Sequence, residues 1–297
     1  MPNRRRWRRR IVAALSLACL IVPLGQAAGP GTAKGALRLG GRAWPLTTAY
    51  AREVRTIPEL DMGDPNPHVA LILADRALPA VATRRDMVLI QLGAEGKAVG
   101  LLLEIDPGSG RIFAGDALLP RSGPQFFSQT PETAKLVDEG FRLTGGRASG
   151  RIRSIAPVGV MSPDGASLGS YTVDVGFDVA VAPAPELVAT LTGEEARASD
   201  PARAIRRYFD AVAQGDLPAI RSMLAAEHPF APMLKPEMLP GVKQEVFGPF
   251  ADTGALMAAL QKVYLYPAEA ELFFKGPQGG MVMPMVREAG GWKVTVP

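Results

Sequence analysis

Cysteine is almost missing from this chain: Cys19 is the only one in 297 residues, and it sits in an apolar stretch near the start. If that stretch is cut away, no thiol remains. That excludes a disulfide framework, a cysteine nucleophile and a thiolate-held metal. Histidine is nearly as scarce. With only His68 and His228, a histidine metal cluster is excluded, and a catalytic triad would have to draw on one of these two. A membrane-spanning run is lacking too, since residues 11–25 are apolar for only 15 positions and are interrupted by Pro23, against the roughly 20 needed to cross a bilayer as a helix.

The last absence concerns positive charge. Six arginines stand in "RRRWRRR", and the first 28 residues hold no acid, so removing them takes the formal net charge from +4 to −2. The basic pI of about 9.3 therefore belongs to the opening, and a nucleic-acid role, which needs a basic folded face, is not expected. Residues 1–10 form a positive n-region, 11–25 an apolar h-region, and Gly25, Ala27 and Ala28 offer small residues for cleavage. This is the pattern of a secretory signal peptide over 1–28. It places the mature protein in the periplasm or outside a bacterial cell and limits membrane contact to the leader. Arg4-Arg5 and Arg8-Arg9 leave twin-arginine export open beside general secretion. Ser16-Leu17-Ala18-Cys19 is a faint lipoprotein box in which serine stands where leucine is wanted.

The chain as a whole has 47% hydrophobic and 21% charged residues, ordinary values for a folded protein, so bulk disorder is not expected. The Gly-rich stretch 29–41 reads as a flexible segment. Residues 42–182 read as a β-rich domain of no recognised family, a sandwich or a curved sheet. Its expected strands are 68–74, 87–92, 98–106 and 151–155, with Gly/Pro/Asp punctuation between them. In "YTVDVGFDVAV", Val173, Val175, Phe177, Val179 and Val181 alternate with Asp174, Gly176, Asp178 and Ala180, which predicts one buried and one wet face. A helix is expected over 131–139, capped by Thr130. Residues 183–199, with spaced prolines and charges, read as a linker.

From Asp200 the period becomes helical. Asp200 as N-cap and Pro201 in the first turn open a helix on which Ala204, Ile205, Tyr208, Phe209 and Val212 share a face. Gly215 ends it. Further helices are expected over 217–226 and 252–263, and strands over 269–274, 281–287 and 292–296. The opening "AIRRYFDAVAQGDLPAIRSML" and the closing "MVMPMVREAGGWKVTV" resemble the superfamily that contains nuclear transport factor two and ketosteroid isomerase. The resemblance covers 200–297 and implies a cone-shaped α+β domain, in which a curved antiparallel sheet wraps helices around a pocket. It also implies that Tyr208 stands where the isomerases keep an oxyanion-donating tyrosine. Their acid-base carboxylate falls near Pro232 and their second donor near Pro284, and proline can neither move a proton nor donate an N–H. Isomerase chemistry of that type is therefore not expected.

The remaining motifs have bland readings. Gly165-Ala166-Ser167-Leu168-Gly169 matches a nucleophile elbow but leads into a strand, as a hairpin loop does. Met281, Met283 and Met285 alternate along one strand; thioethers can hold copper(I) in an exported protein, but methionine also serves as adaptable core filler. His68, at a strand start, is expected to be solvated or capping, and the pairs Asp138-Glu139 and Glu194-Glu195 solvated. The expectation as a whole is an α+β protein with a β-rich domain and a C-terminal cone, acting as an exported, non-catalytic binding or interaction module. No cofactor or metal is expected. The pocket candidates are Tyr208, Phe209, Val212, His228, Met283, Met285 and Trp292. Compatible partners are a small apolar ligand and a second copy of the chain. Alternatives are an isomerase or lyase using the cone, or a structural envelope component that dimerises.

Overall fold

A computed structural model describes residues 29–60, 64–120, 133–161, 167–248, 250–276 and 279–296. The leader lies outside these residues, as do Thr130, Pro131 and, of the Gly165–Gly169 motif, Gly165 and Ala166.

The chain is β-rich. Nine strands form one curled antiparallel sheet: β1 (Gly31–Leu39), β2 (Arg42–Val54), β3 (His68–Ala74), β4 (Gly100–Ile105), β5 (Ile112–Leu118), β6 (Leu136–Thr144), β7 (Arg147–Ser154), β8 (Val158–Met161) and β9 (Ser167–Ala182). Their order is β5-β4-β3-β2-β1-β9-β7-β6, with β8 also on β9. Strands β2 and β9 outrun the short β1 between them and meet in a two-residue parallel pairing, Ala51 opposite Val181 and Arg52 opposite Ala182. The expected alternation holds along β9, where Tyr171, Val173, Val175, Phe177 and Val179 are buried. They join Leu37, Leu71, Leu101, Leu103 and Ile152 in a single aliphatic cluster that the sheet curls around. On the wet face of the same strands, Arg147 pairs with Asp178 and Arg151 with Asp174.

At several points the structure differs from what the residues suggest. Residues 87–92 are not a strand but lie in helix α1 (Asp86–Ala94). A short apolar run fits either state, and here Leu89, Ile90 and Gly93 pack on the sheet beside Tyr50, Ala70, Ile72, Leu102 and Leu118. This second layer explains why β3 is buried at all seven positions: α1 covers one face and the aliphatic cluster the other. The stretch 29–41 is not flexible, because β1 lies in the middle of the sheet between β2 and β9. The helix expected over 131–139 is, within the described residues, one 3-10 turn at Thr133–Lys135 followed by β6. Ser167 begins β9 and pairs with Met161, a hairpin setting rather than a strand-to-helix elbow.

The C-terminal unit begins earlier than expected. Within 183–199, β10 (Ala189–Thr192) and α2 (Gly193–Ala198) are ordered elements, and β10 is the edge of a second sheet. That sheet runs β10-β11-β12-β13-β14, with β11 (Leu260–Leu265), β12 (Glu269–Gly276), β13 (Gly279–Glu288) and β14 (Gly291–Val294), antiparallel throughout. Helix α3 (Asp200–Gln214) is capped one residue before the expected position, by the Ser199 hydroxyl accepting from the Ala202 N–H, and it ends at left-handed Gly215. Helix α4 (Leu217–Met223) follows, capped by Asp216. Helix α5 (Leu239–Phe247) falls where no helix is expected, with Pro240 in its first turn. The helix expected over 252–263 is shorter: Asp252 caps α6 (Thr253–Ala258), which stops there, and residues to 263 turn into β11. Val263 and Tyr264 suit a pleated surface better than a helix.

Candidate functional site

The residues proposed from the sequence are brought together, with one exception. Phe209, Met285, Val212 and Tyr208 are at most 7% exposed and share one buried cluster with Ile205, Leu272 and Phe274, while Met283 and Trp292 pack against it. Aromatic rings surround Phe209: Tyr208 at 5.9 Å, Phe274 at 5.8 Å and Phe247 at 6.4 Å between centroids. The cluster has the character of a filled core. Met281, Met283 and Met285 belong to the same packing, in the filler role their alternation allows.

His228 is the exception. It follows α4, and its ring stands against Phe230 with centroids 5.8 Å apart. Its Nδ1 accepts the Phe230 N–H at 3.3 Å, and burial pushes its pKa down to about 4. The Tyr208 hydroxyl is pushed up to about 12, by burial first and then by the charge of Glu245, and it makes no hydrogen bond among the described residues. Neither is equipped to exchange protons near neutrality. A stability effect follows for His228. An unfolded histidine takes its proton near pH 6.5, whereas the folded one resists until about pH 4. Stability is therefore lost as pH falls through that window. The urea midpoint of the His228→Gln variant is expected to fall less than that of the parent between pH 7 and about pH 4; equal falls would show that His228 is not held neutral.

A second group of polar residues, missed by the sequence reading, lies on the α1 side of the N-terminal sheet. His68 is not solvated but 6% exposed. Its Nδ1 lies 3.0 Å from the Pro65 carbonyl oxygen, and since a carbonyl can only accept, Nδ1 carries the proton. Phe113 meets the ring edge-on at 5.2 Å. Nε2 has no hydrogen-bond partner and lies 4.0 Å from Glu104 Oε2. Arg52 is bonded through Nη2 to Asp86 Oδ1 at the start of α1, while its Nε is buried without a partner. Burial raises the Glu104 carboxyl above its ordinary value, helped by Asp86 and Asp64 and opposed by His68 and Arg52. A signal for this group was present in the sequence: Glu104 is the lone acid inside the apolar "GLLLEI" of β4.

The two units touch beside this group. Arg85, the residue before α1, donates to Glu269 of β12 at 2.7 Å. The Tyr264 hydroxyl donates to Glu59 at 2.5 Å, and Lys262 pairs with the same carboxylate. Ile57 closes an apolar patch with Tyr264 and Phe273. The face of the second sheet turned away from α3 is thereby fastened to the first unit. Glu271 lies on that face and accepts from the Tyr266 hydroxyl at 3.1 Å; its carboxyl is raised mainly by burial.

Elsewhere, a groove of about 580 Å³ opens on the outer face where β7 leaves β9, lined in part by Arg38, Arg153, Ile155, Thr172 and Asp174. Arg153 is already paired with Glu139 and Asp174 with Arg151. The acid beside Glu139 corrects the expectation of solvated pairs: Asp138 Oδ1 is buried without a partner, and burial lifts the carboxyl to about 6. Among the described residues no three His, Cys, Asp or Glu side chains converge as metal ligands, and no helix is long and apolar enough to cross a membrane. Comparison with family models, with curated proteins and with solved structures returns no match to this chain.

Proposed function

We propose that this chain is an exported bacterial binding or interaction protein, not an enzyme, whose C-terminal unit is the α+β cone implied by its resemblance. In this reading the cone is a packed platform for the N-terminal sheet. The observation that supports it is the state of His228 and Tyr208: both are desolvated, and no hydrogen bond joins either to a carboxylate among the described residues. The isomerase or lyase alternative gains nothing from this geometry, since Pro284 lies within β13 and Pro232 in a 3-10 turn. A small apolar ligand among Tyr208, Phe209, Val212, Met283, Met285 and Trp292 would have to displace their mutual packing.

A second reading, self-association, is favoured by one feature. Just before edge strand β10, Leu187 and Val188 are 48% and 65% exposed, and an open edge beside apolar side chains invites strand pairing. Sedimentation distinguishes the two, a monomer at micromolar concentration opposing the dimer.

Export is tested by intact mass. Protein recovered from the periplasm or medium of the source cell is expected to begin at Ala28 or Gly29. A chain beginning at Met1, or a lipid on Cys19, would replace the soluble reading with an anchored one.

A further inference from the structure

We infer that the corner of the N-terminal sheet between β3 and β4 binds a primary ammonium group, received by His68 Nε2 and Glu104 Oε2. The inference is independent of the reading of the C-terminal unit.

His68 leaves one hydrogen bond unmet. His68 donates from Nδ1 to the Pro65 carbonyl, so in the neutral ring Nε2 offers a lone pair, and that atom is buried without a partner. Leaving a buried acceptor unmatched is destabilising. Glu104 Oε2 is 4.0 Å from that atom, too far for a direct bond but suited to a shared one. An atom about 2.9 Å from both sees them roughly 90° apart, within reach of two N–H bonds of one tetrahedral nitrogen. Both protein atoms accept when Glu104 is ionised, so the group between them must donate twice. Glu104 is the accessible wall, with a side chain 32% exposed, whereas that of His68 is 7% exposed. A ligand therefore enters past Glu104 and reaches His68 last.

Charge selects among double donors. The charges that act on Glu104 are those of Asp86, Asp64 and Arg52, with His68 adding one only when protonated. Arg52 is already paired with Asp86, so beside a neutral His68 the Glu104 and Asp64 carboxylates leave a negative balance that favours a cation and disfavours an anion. A divalent metal ion is disfavoured by the lack of three converging ligands among the described residues. The second orphaned atom in the group, Arg52 Nε, is a donor, and it suits an acceptor oxygen carried near the ammonium. Ethanolamine unites the two features. Choline, its trimethylated form, keeps the charge and the hydroxyl but has no N–H to give.

With only two histidines in the chain, the test can be read directly. The His68 ring signals are followed by NMR at about pH 8, with the His228→Gln variant fixing the assignment. Ethanolamine is expected to shift the His68 signal saturably, and choline is not. Glu104→Gln, nearly isosteric, should weaken the ethanolamine response by roughly tenfold or more, the loss of a charged hydrogen bond. If circular dichroism shows that variant unfolded, the ethanolamine–choline comparison on the parent protein still decides. Vesicles of phosphatidylethanolamine against phosphatidylcholine then separate a lipid headgroup from a free amine as the source. Equal responses to ethanolamine and choline, an unweakened Glu104→Gln, or no saturable shift, which would mean water alone fills the gap, would each overturn the inference.

Discussion

Replacing Gly35 with valine is expected to unfold the N-terminal sheet or to cost it at least about 3 kcal/mol, the upper range of overpacking penalties. A Cβ at Gly35 would stand 2.0 Å from the Asp174 carbonyl oxygen and 2.5 Å from Val175 Cα. Both belong to the backbone of β9, which pairs with β1 residue by residue from Thr32 opposite Asp178 to Leu39 opposite Tyr171. A flexible side chain could swing aside; a strand backbone at the centre of a sheet cannot. Relief would require β1 to leave β9, breaking a nine-stranded sheet near its middle. Urea denaturation followed by far-ultraviolet circular dichroism measures the loss. A variant within about 0.5 kcal/mol of the parent, the range of an ordinary surface change, would show that β1 does not pack there.

The second large effect is expected in the other unit. Phe209→Ala removes a fully buried ring from between Tyr208, Phe247 and Phe274 and should cost about 3–5 kcal/mol, as deletions of buried aromatic rings do. The prediction carries functional meaning. If these residues lined an open ligand cavity, the ring would bury less against its neighbours, and truncation would enlarge the space at a smaller cost. The same denaturation experiment therefore weighs core against pocket, and a loss below about 1 kcal/mol would favour the pocket.

The legibility of these features in the sequence followed from physical causes. The alternation from Val173 to Val181 was readable because a two-residue period has one meaning when one face is wet and the other dry. Ser199 and Gly215 bracket α3 close to where Asp200 and Gly215 were expected, because caps are local chemistry. Gly35 misled: glycine permits flexibility, and it also permits two backbones to approach where no side chain fits, and nothing local tells the two apart. The run Met87–Leu92 misled because both readings bury it, and only the sheet beneath α1 decides. For the candidate sites, Phe209, Val212 and Met285 were legible as apolar residues that face one another, but whether such residues enclose space or fill it depends on packing. The His68–Glu104 corner was invisible in a different way. Residues 36 apart in sequence meet only through the β3–β4 register, in which Ala70 stands opposite Glu104 and Val69 opposite Ile105.

The central claim is that the C-terminal unit is a filled platform and not a reaction or ligand chamber. Xenon occupies dry apolar cavities and is excluded from close-packed cores. Xenon-129 NMR of the purified protein is therefore the most direct measurement. The account predicts no saturable xenon site among Phe209, Met285 and Trp292 in the parent protein and the appearance of one in Phe209→Ala. A saturable site at those residues in the parent would contradict it.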